Sequence, residues 1–200
     1  MKSVIISIRP YWIFLIIAKK KGWNIEKEKT IEVRKSFPKD KDWDKTVIFY
    51  CTKDKASFNK IPKEYQPLME KFLGKVIGEF VCDVIYAISK YSIKEKIIYN
   101  SVDSYNNLQI IKDSCLNIND IIAYTKGKTD VYLWHISDLK IYDKPKEITE
   151  FYKCGFEDAY NEWEYYDIAG VNGIMPKSED WKIKRPPQSW CYVQEQEDKQ

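Results

Sequence analysis

Arg9-Pro10 interrupts what would otherwise be an unbroken apolar run near the start of the chain, and that interruption constrains the fold more than any other feature. The pieces left, residues 4–8 and 11–18, each fall far short of the ~20 apolar residues that a membrane-spanning helix needs. Proline lacks an amide donor and has its φ fixed, so Pro10 suits a first helical turn. Lys19-Lys20-Lys21-Gly22 suits a helix C-terminus, where cations meet exposed carbonyls and glycine ends the helix. The stretch therefore reads as strand 3–8 entering a buried helix 10–21. Lysines follow it where a secreted chain would carry a small-residue cleavage site, so the expectation is a soluble, cytoplasmic protein with no membrane partner.

Downstream, Lys29-Thr30-Ile31-Glu32-Val33-Arg34-Lys35 alternates. Successive strand side chains point oppositely, so Ile31 and Val33 share one face while Thr30, Glu32 and Arg34 share the other. One face can pack a core while the other offers a hydroxyl, an acid and a guanidinium in a row. Arginine grips planar anions with a fork of donors, and glutamate can steady that fork or accept protons from a base edge. The same pattern also fits a solvated strand face with an ion pair between Glu32 and Arg34. Lys29 and Glu32 are the candidates for general acid–base work, because a desolvated lysine beside a carboxylate can shift its pKa, or the two can simply pair.

The rest of the chain reads as strand 45–52, helix 61–73 and a long strand near 75–89. Residues 90–119 are polar and aromatic with poor periodicity, apart from a helix near 105–114. Asn119-Asp120 can cap a short helix through Tyr124 that Gly127 ends. Strand 130–137 follows, then an irregular stretch from residue 143. Arg185-Pro186-Pro187 forms a stiff entry to a last strand, 190–194, expected to lie beside the strand around Trp134. Uneven strands interleaved with a few helices indicate an α+β fold around a small mixed β-barrel. At 200 residues this is one domain with a substantial core.

The order Ser7-Ile8-Arg9-Pro10, helix, Lys29-Thr30-Ile31-Glu32-Val33-Arg34, then Val47-Ile48-Phe49-Tyr50 and Gly74-Lys75-Val76-Ile77-Gly78-Glu79-Phe80 resembles the ASCH family, a branch of the PUA-like folds. Tyr132-Leu133-Trp134-His135-Ile136 and Pro186-Pro187-Gln188-Ser189-Trp190 extend the likeness toward a phage-associated subgroup. The resemblance implies one PUA-like domain over residues 1–200. Its core would cover about 3–90, 129–137 and 188–195, with insertions at 90–128 and 143–187. It also implies a cleft that binds RNA or a single-stranded or modified nucleotide, lined by Arg9, Lys29, Glu32, Arg34, Lys35, Gln188, Ser189 and Trp190.

Some members of the family are ribonucleases, which implies an alternative in which Lys29, Glu32 and Arg34 serve phosphodiester cleavage. In the small ASCH amidohydrolases acting on acetylated cytidine, a threonine nucleophile stands three residues after the lysine. Here Glu32 occupies that place, which removes the nucleophile. A further alternative is a phage-encoded factor that binds a host protein, for which the acidic, aromatic stretch Glu157 to Asp167 is the support.

Charge is uneven along the chain. Residues 1–75 carry 18 Lys+Arg against 9 Asp+Glu, the remainder 15 against 21, which fits a polyanion partner or merely lysine-coated helices. The 5 cysteines form no Cys-x-x-Cys pair and read as thiols of a reducing compartment. One histidine, His135, without further ligands nearby in sequence argues against zinc, and no metal or cofactor is expected. A glycine-rich phosphate loop, a Ser-His-Asp order and an HExxH helix are all missing. The aromatics Tyr50, Trp134, Trp190 and Tyr192 fall on expected strands, where they either pack the core or stack on bases.

Overall fold

Two apolar runs, Val4–Ile8 and Val47–Cys51, are buried along nearly their whole length, as expected of neighbouring parallel strands covered on both faces. In the computed structural model, which describes residues 2–39, 44–89, 106–126, 130–155, 162 and 177–195, they are β1 (Ser3–Ile8) and β3 (Thr46–Cys51). They pair in parallel from Val4↔Val47 to Ile8↔Cys51. The crossover between them contains α1 (Pro10–Ile17) and β2 (Ile31–Arg34). Antiparallel neighbours are β4 (Val76–Val81), β7 (Ser137–Lys146), β8 (Phe151–Lys153) and β9 (Trp190–Glu195), giving a six-stranded sheet in the order β7-β4-β3-β1-β9-β8. A second sheet has the order β2-β6-β5, with β5 at Ile85–Ser89 and β6 at Asp130–His135. The fold is α+β, and among the described residues the two sheets form no closed barrel.

The main core lies where α1 meets both sheets. Ile13, Phe14, Ile16 and Ile17 pack there with Val4, Ile6, Phe49, Phe80 and Trp134. A helix this apolar all round must be buried on every side. Phe14 stacks on Trp23 at 5.6 Å, beyond the helix end. The far face of the second sheet carries Ile31, Val33, Val131 and Leu133 against Ile110 of α4 (Asn106–Asp113) and Ile121 of α5 (Ile118–Thr125). β2 is thus packed on both faces. Glu32 and Arg34 are buried rather than solvated.

Several boundaries differ from the sequence reading. The first helix stops at Ile17, and the chain turns through Gly22 with φ 69°, held by a hydrogen bond from the Trp23 amide to the Ala18 carbonyl. The expected helix 61–73 shrinks to α3 (Gln66–Glu70), since Pro62 and Pro67 each withhold an amide donor. The expected long strand 75–89 breaks at residues 82–84 into β4 and β5, which belong to different sheets. At that break Asp83 is bonded to His135 Nδ1 at 2.7 Å.

Later in the chain, α5 is capped by Asn117 in a capping box with Asp120, and it closes at Lys126, which takes φ 47°. Gly127, the expected terminator, is outside the described residues. The expected strand 130–137 ends at His135, and β7 carries the chain on through Lys146 into a stretch expected to be irregular. β8 and the short α6 (Ser178–Trp181) lie in that stretch too. Residues 90–105, and the Glu157 to Asp167 stretch apart from residue 162, fall outside the described residues.

The last strand does not lie beside the Trp134 strand. β6 already has β2 on one side and β5 on the other, so it has no edge to offer. β9 instead joins the open edge of β1, from Ser3↔Val193 to Ile6↔Trp190.

Candidate nucleic-acid interface

Lys29 enters the site through its backbone. Its amide donates to the Leu15 carbonyl at 3.2 Å, and the next amide, of Thr30, donates to Asp113 at 3.1 Å, so β2 starts pinned between α1 and α4. The Lys29 ammonium is buried. It donates to the Ile31 carbonyl at 2.5 Å and the Ser114 carbonyl at 2.8 Å, and it lies 3.5 Å from Glu32 Oε2. Those three partners match the three N–H bonds of an ammonium. Burial pushes the Lys29 pKa below its ordinary value, and the Glu32 carboxylate only partly offsets that. Its charge also faces the Trp12 ring, 5.3 Å from the centroid.

Glu32 Oε1 lies 3.1 Å from Arg34 Nη2, so one carboxylate serves two buried cations. Arg34 Nη2 also donates to the Ser7 carbonyl at 2.7 Å, at the end of β1. Its Nη1 reaches the Ser189 carbonyl at 3.5 Å. Arg34 Nε is buried with no hydrogen-bond partner among the described residues. A buried donor without an acceptor costs ~1–3 kcal/mol, so an anion reaching it would be favoured.

The chain's late segment does return to this place. The Ser7 amide donates to the Ser189 carbonyl at 3.3 Å, and the Ser7 hydroxyl donates to the Pro187 carbonyl at 2.6 Å. Ser189 contributes its backbone rather than its hydroxyl to the contact with Arg34. Gln188 is exposed beside it. Trp190 is half-buried against the main core, and its Nε1 donates to Ser36 Oγ at 3.0 Å.

Arg9 does not touch Glu32. Its side chain is 68% exposed, with Nε 3.5 Å from Asp54 Oδ2. Lys35 places its ammonium 4.7 Å from the centroid of the Tyr124 ring. Burial raises the Tyr124 pKa, Arg34 and Arg9 lower it and Glu32 raises it, so the hydroxyl stands in the field of all three charges. Tyr124 and Trp12 were not singled out from the sequence. The only signal for either was an aromatic side chain in an end turn of a helix, Trp12 two residues after Pro10 and Tyr124 in the last turn of α5. The structure thus brings Lys29, Glu32, Arg34 and the Ser189 backbone into contact, with Lys35 and Arg9 nearby, while the Trp190 ring is engaged with Ser36.

Among the described residues no group of three or more His, Cys, Asp or Glu side chains could hold a metal ion. No described helix is long and apolar enough to cross a membrane. Comparison of the chain with protein-family models finds no match. Comparison with curated proteins finds none either. Among solved structures, the chain is similar to ASCH from Zymomonas mobilis, with 13% identity over 96% of this chain and 87% of that one and a TM-score of 0.48. A single-substitution variant of that protein gives 14% identity over 97% and 91%, also with a TM-score of 0.48.

Proposed function

We propose that the chain binds single-stranded RNA, or a single or modified nucleotide, by holding a phosphate at Arg34. The observation that carries this reading is the buried Arg34 Nε–H without an acceptor, in a cluster where Lys29 and Arg34 outnumber Glu32. A phosphate supplies both the missing acceptor and the missing negative charge, and arginine suits it through charge-assisted hydrogen bonds. Tyr124 and Trp12 offer rings beside the cluster on which a base can stack, a contact worth ~1–3 kcal/mol. Fluorescence anisotropy with RNA and DNA oligomers at several salt concentrations tests it. Affinity for RNA should fall with salt, with a slope of roughly −0.7 per phosphate contact. Salt-independent binding, or none at micromolar protein, overturns the reading.

A ribonuclease reading draws on one observation, the lowered pKa of Lys29. Proton transfer by Lys29 would require it to release one of its three partners. Incubation with end-labelled RNA separates the two readings: cleavage that is lost in Glu32→Gln while binding persists favours the enzyme.

A further inference from the structure

Between the start of α1 and α2 (Lys55–Phe58) lies a cavity of about 100 Å³, lined by Arg9, Tyr11, Trp12, Asp54, Ser57 and Lys60 among others. It is large enough for a phosphate group. Ser57 is only 7% exposed, and its hydroxyl oxygen accepts the Tyr11 amide at 3.1 Å. The hydroxyl's own proton has no acceptor among the described residues, although the side chain lines the cavity. Asp54 is committed elsewhere: Oδ1 accepts the Ser57 amide at 2.9 Å and Oδ2 faces Arg9 Nε. That contact steadies Arg9 and leaves both its Nη groups as donors. Lys60 adds a second cation with no carboxylate partner among the described residues.

The cavity meets the Arg34 cluster through Trp12, which lines the cavity while its ring centroid lies 5.3 Å from the Lys29 ammonium. From this juxtaposition we propose that the Arg9–Ser57–Lys60 cavity holds a second phosphate of a single-stranded RNA, so that the ligand is an oligonucleotide rather than a mononucleotide. The proposal rests on the reading of Arg34 as the first phosphate site and adds the length of ligand that the chain takes.

The test measures binding of a mixed-sequence RNA hexamer, and competition by a mixture of the four ribonucleoside 5′-monophosphates, for the wild type, Lys60→Ala, Ser57→Ala and Lys144→Ala. Lys144 is exposed on the edge strand β7 and controls for simple loss of charge. The hexamer should bind far more tightly than the mononucleotides. Lys60→Ala should weaken the hexamer roughly fivefold and flatten its salt slope by about 0.7, with mononucleotide competition unchanged. Ser57→Ala should weaken the hexamer in the same selective way, and Lys144→Ala should leave both ligands as they were.

Equal affinity for hexamer and mononucleotides overturns the second site while leaving Arg34 as a phosphate site. A Lys60→Ala effect matched by Lys144→Ala, or falling equally on both ligands, does the same. Failure of the wild type to bind either ligand overturns both readings. Because the Lys60 side chain makes no hydrogen bond or ion pair among the described residues and Lys144 is exposed, both variants should fold, and a thermal melt of each checks it.

Discussion

Two buried cations sharing one carboxylate make Glu32 the residue on which the cluster depends. Glu32→Gln would leave Lys29 and Arg34 without a counter-charge, and breaking a buried pair from one side costs ~3–5 kcal/mol. Urea denaturation should show that loss, larger than that of Arg34→Met, which leaves Glu32 with Lys29. Lys29 adds a pH signature. Its folded-state pKa is lowered, so between that value and the unfolded one the unfolded chain binds the extra proton, and stability rises with pH there. Cys51 and Cys82 act oppositely, because burial pushes both thiols up to about 12 and stability falls as pH climbs above the ordinary thiol value. Subtracting the Lys29→Met profile from the wild-type profile isolates the lysine. The difference should move in favour of the wild type as the pH is raised from neutral toward 10.5, the ordinary lysine value. A flat difference would mean that Lys29 titrates normally.

At the scale of elements, β4 and β7 approach each other closely at Gly78. A methyl group there would meet the Lys140 carbonyl oxygen at 2.2 Å and the Phe49 ring at 2.9 Å. Neither neighbour is a flexible end, so Gly78→Ala should cost ~1–3 kcal/mol, read as a lowered midpoint in urea. The elements show what a sequence can reveal. β1, α1, β2 and β3 were legible because Pro10 punctuates the apolar run and Ile31 and Val33 alternate with charged residues. The break at residues 82–84 was not, since Val81-Cys82-Asp83-Val84 differs from a continuing strand only by one acid. Alternation also cannot tell a solvated polar face from one covered by a second sheet. The burial of Glu32 and Arg34 therefore depends on β1 and the lead-in to β9, both distant in sequence. Lys29 and Arg34 were legible by type as candidates for a site, whereas Tyr124 and Ser57 become candidates only through where α5 and α2 pack.

Across the molecule, the basic first part and acidic remainder do not separate into two bodies. β1 and β3 lie side by side at the centre of the six-stranded sheet, flanked by β4 and β7 on one side and by β9 and β8 on the other, and β2 pairs with β6, so both sheets combine strands from the two parts. Trp190 joins them, donating to Ser36 and packing on the main core with Tyr192 at 5.3 Å between ring centroids. Trp190→Phe should lose about 1 kcal/mol with that hydrogen bond. Trp190→Ala should lose more, short of the ~3–5 kcal/mol of a fully buried tryptophan. Calorimetric melts of both variants beside an RNA titration show whether the ring serves the fold: a melting temperature left at the wild-type value with affinity lost would make it a stacking platform instead.

The pairing of β9 with β1 has a consequence for how the chain is made. During synthesis β1 emerges early, yet one of its edges stays open until residues 190–193 leave the ribosome. Until then Ser7 lacks the Ser189 and Pro187 carbonyls, and Arg34 is held only from one side. An unpaired apolar strand invites pairing with other chains, and contacts this far apart in sequence close slowly. Nascent chains stalled before residue 186 should therefore be protease-sensitive around β1 and prone to aggregate, and release of the next ten residues should protect both β1 and the cluster in one step.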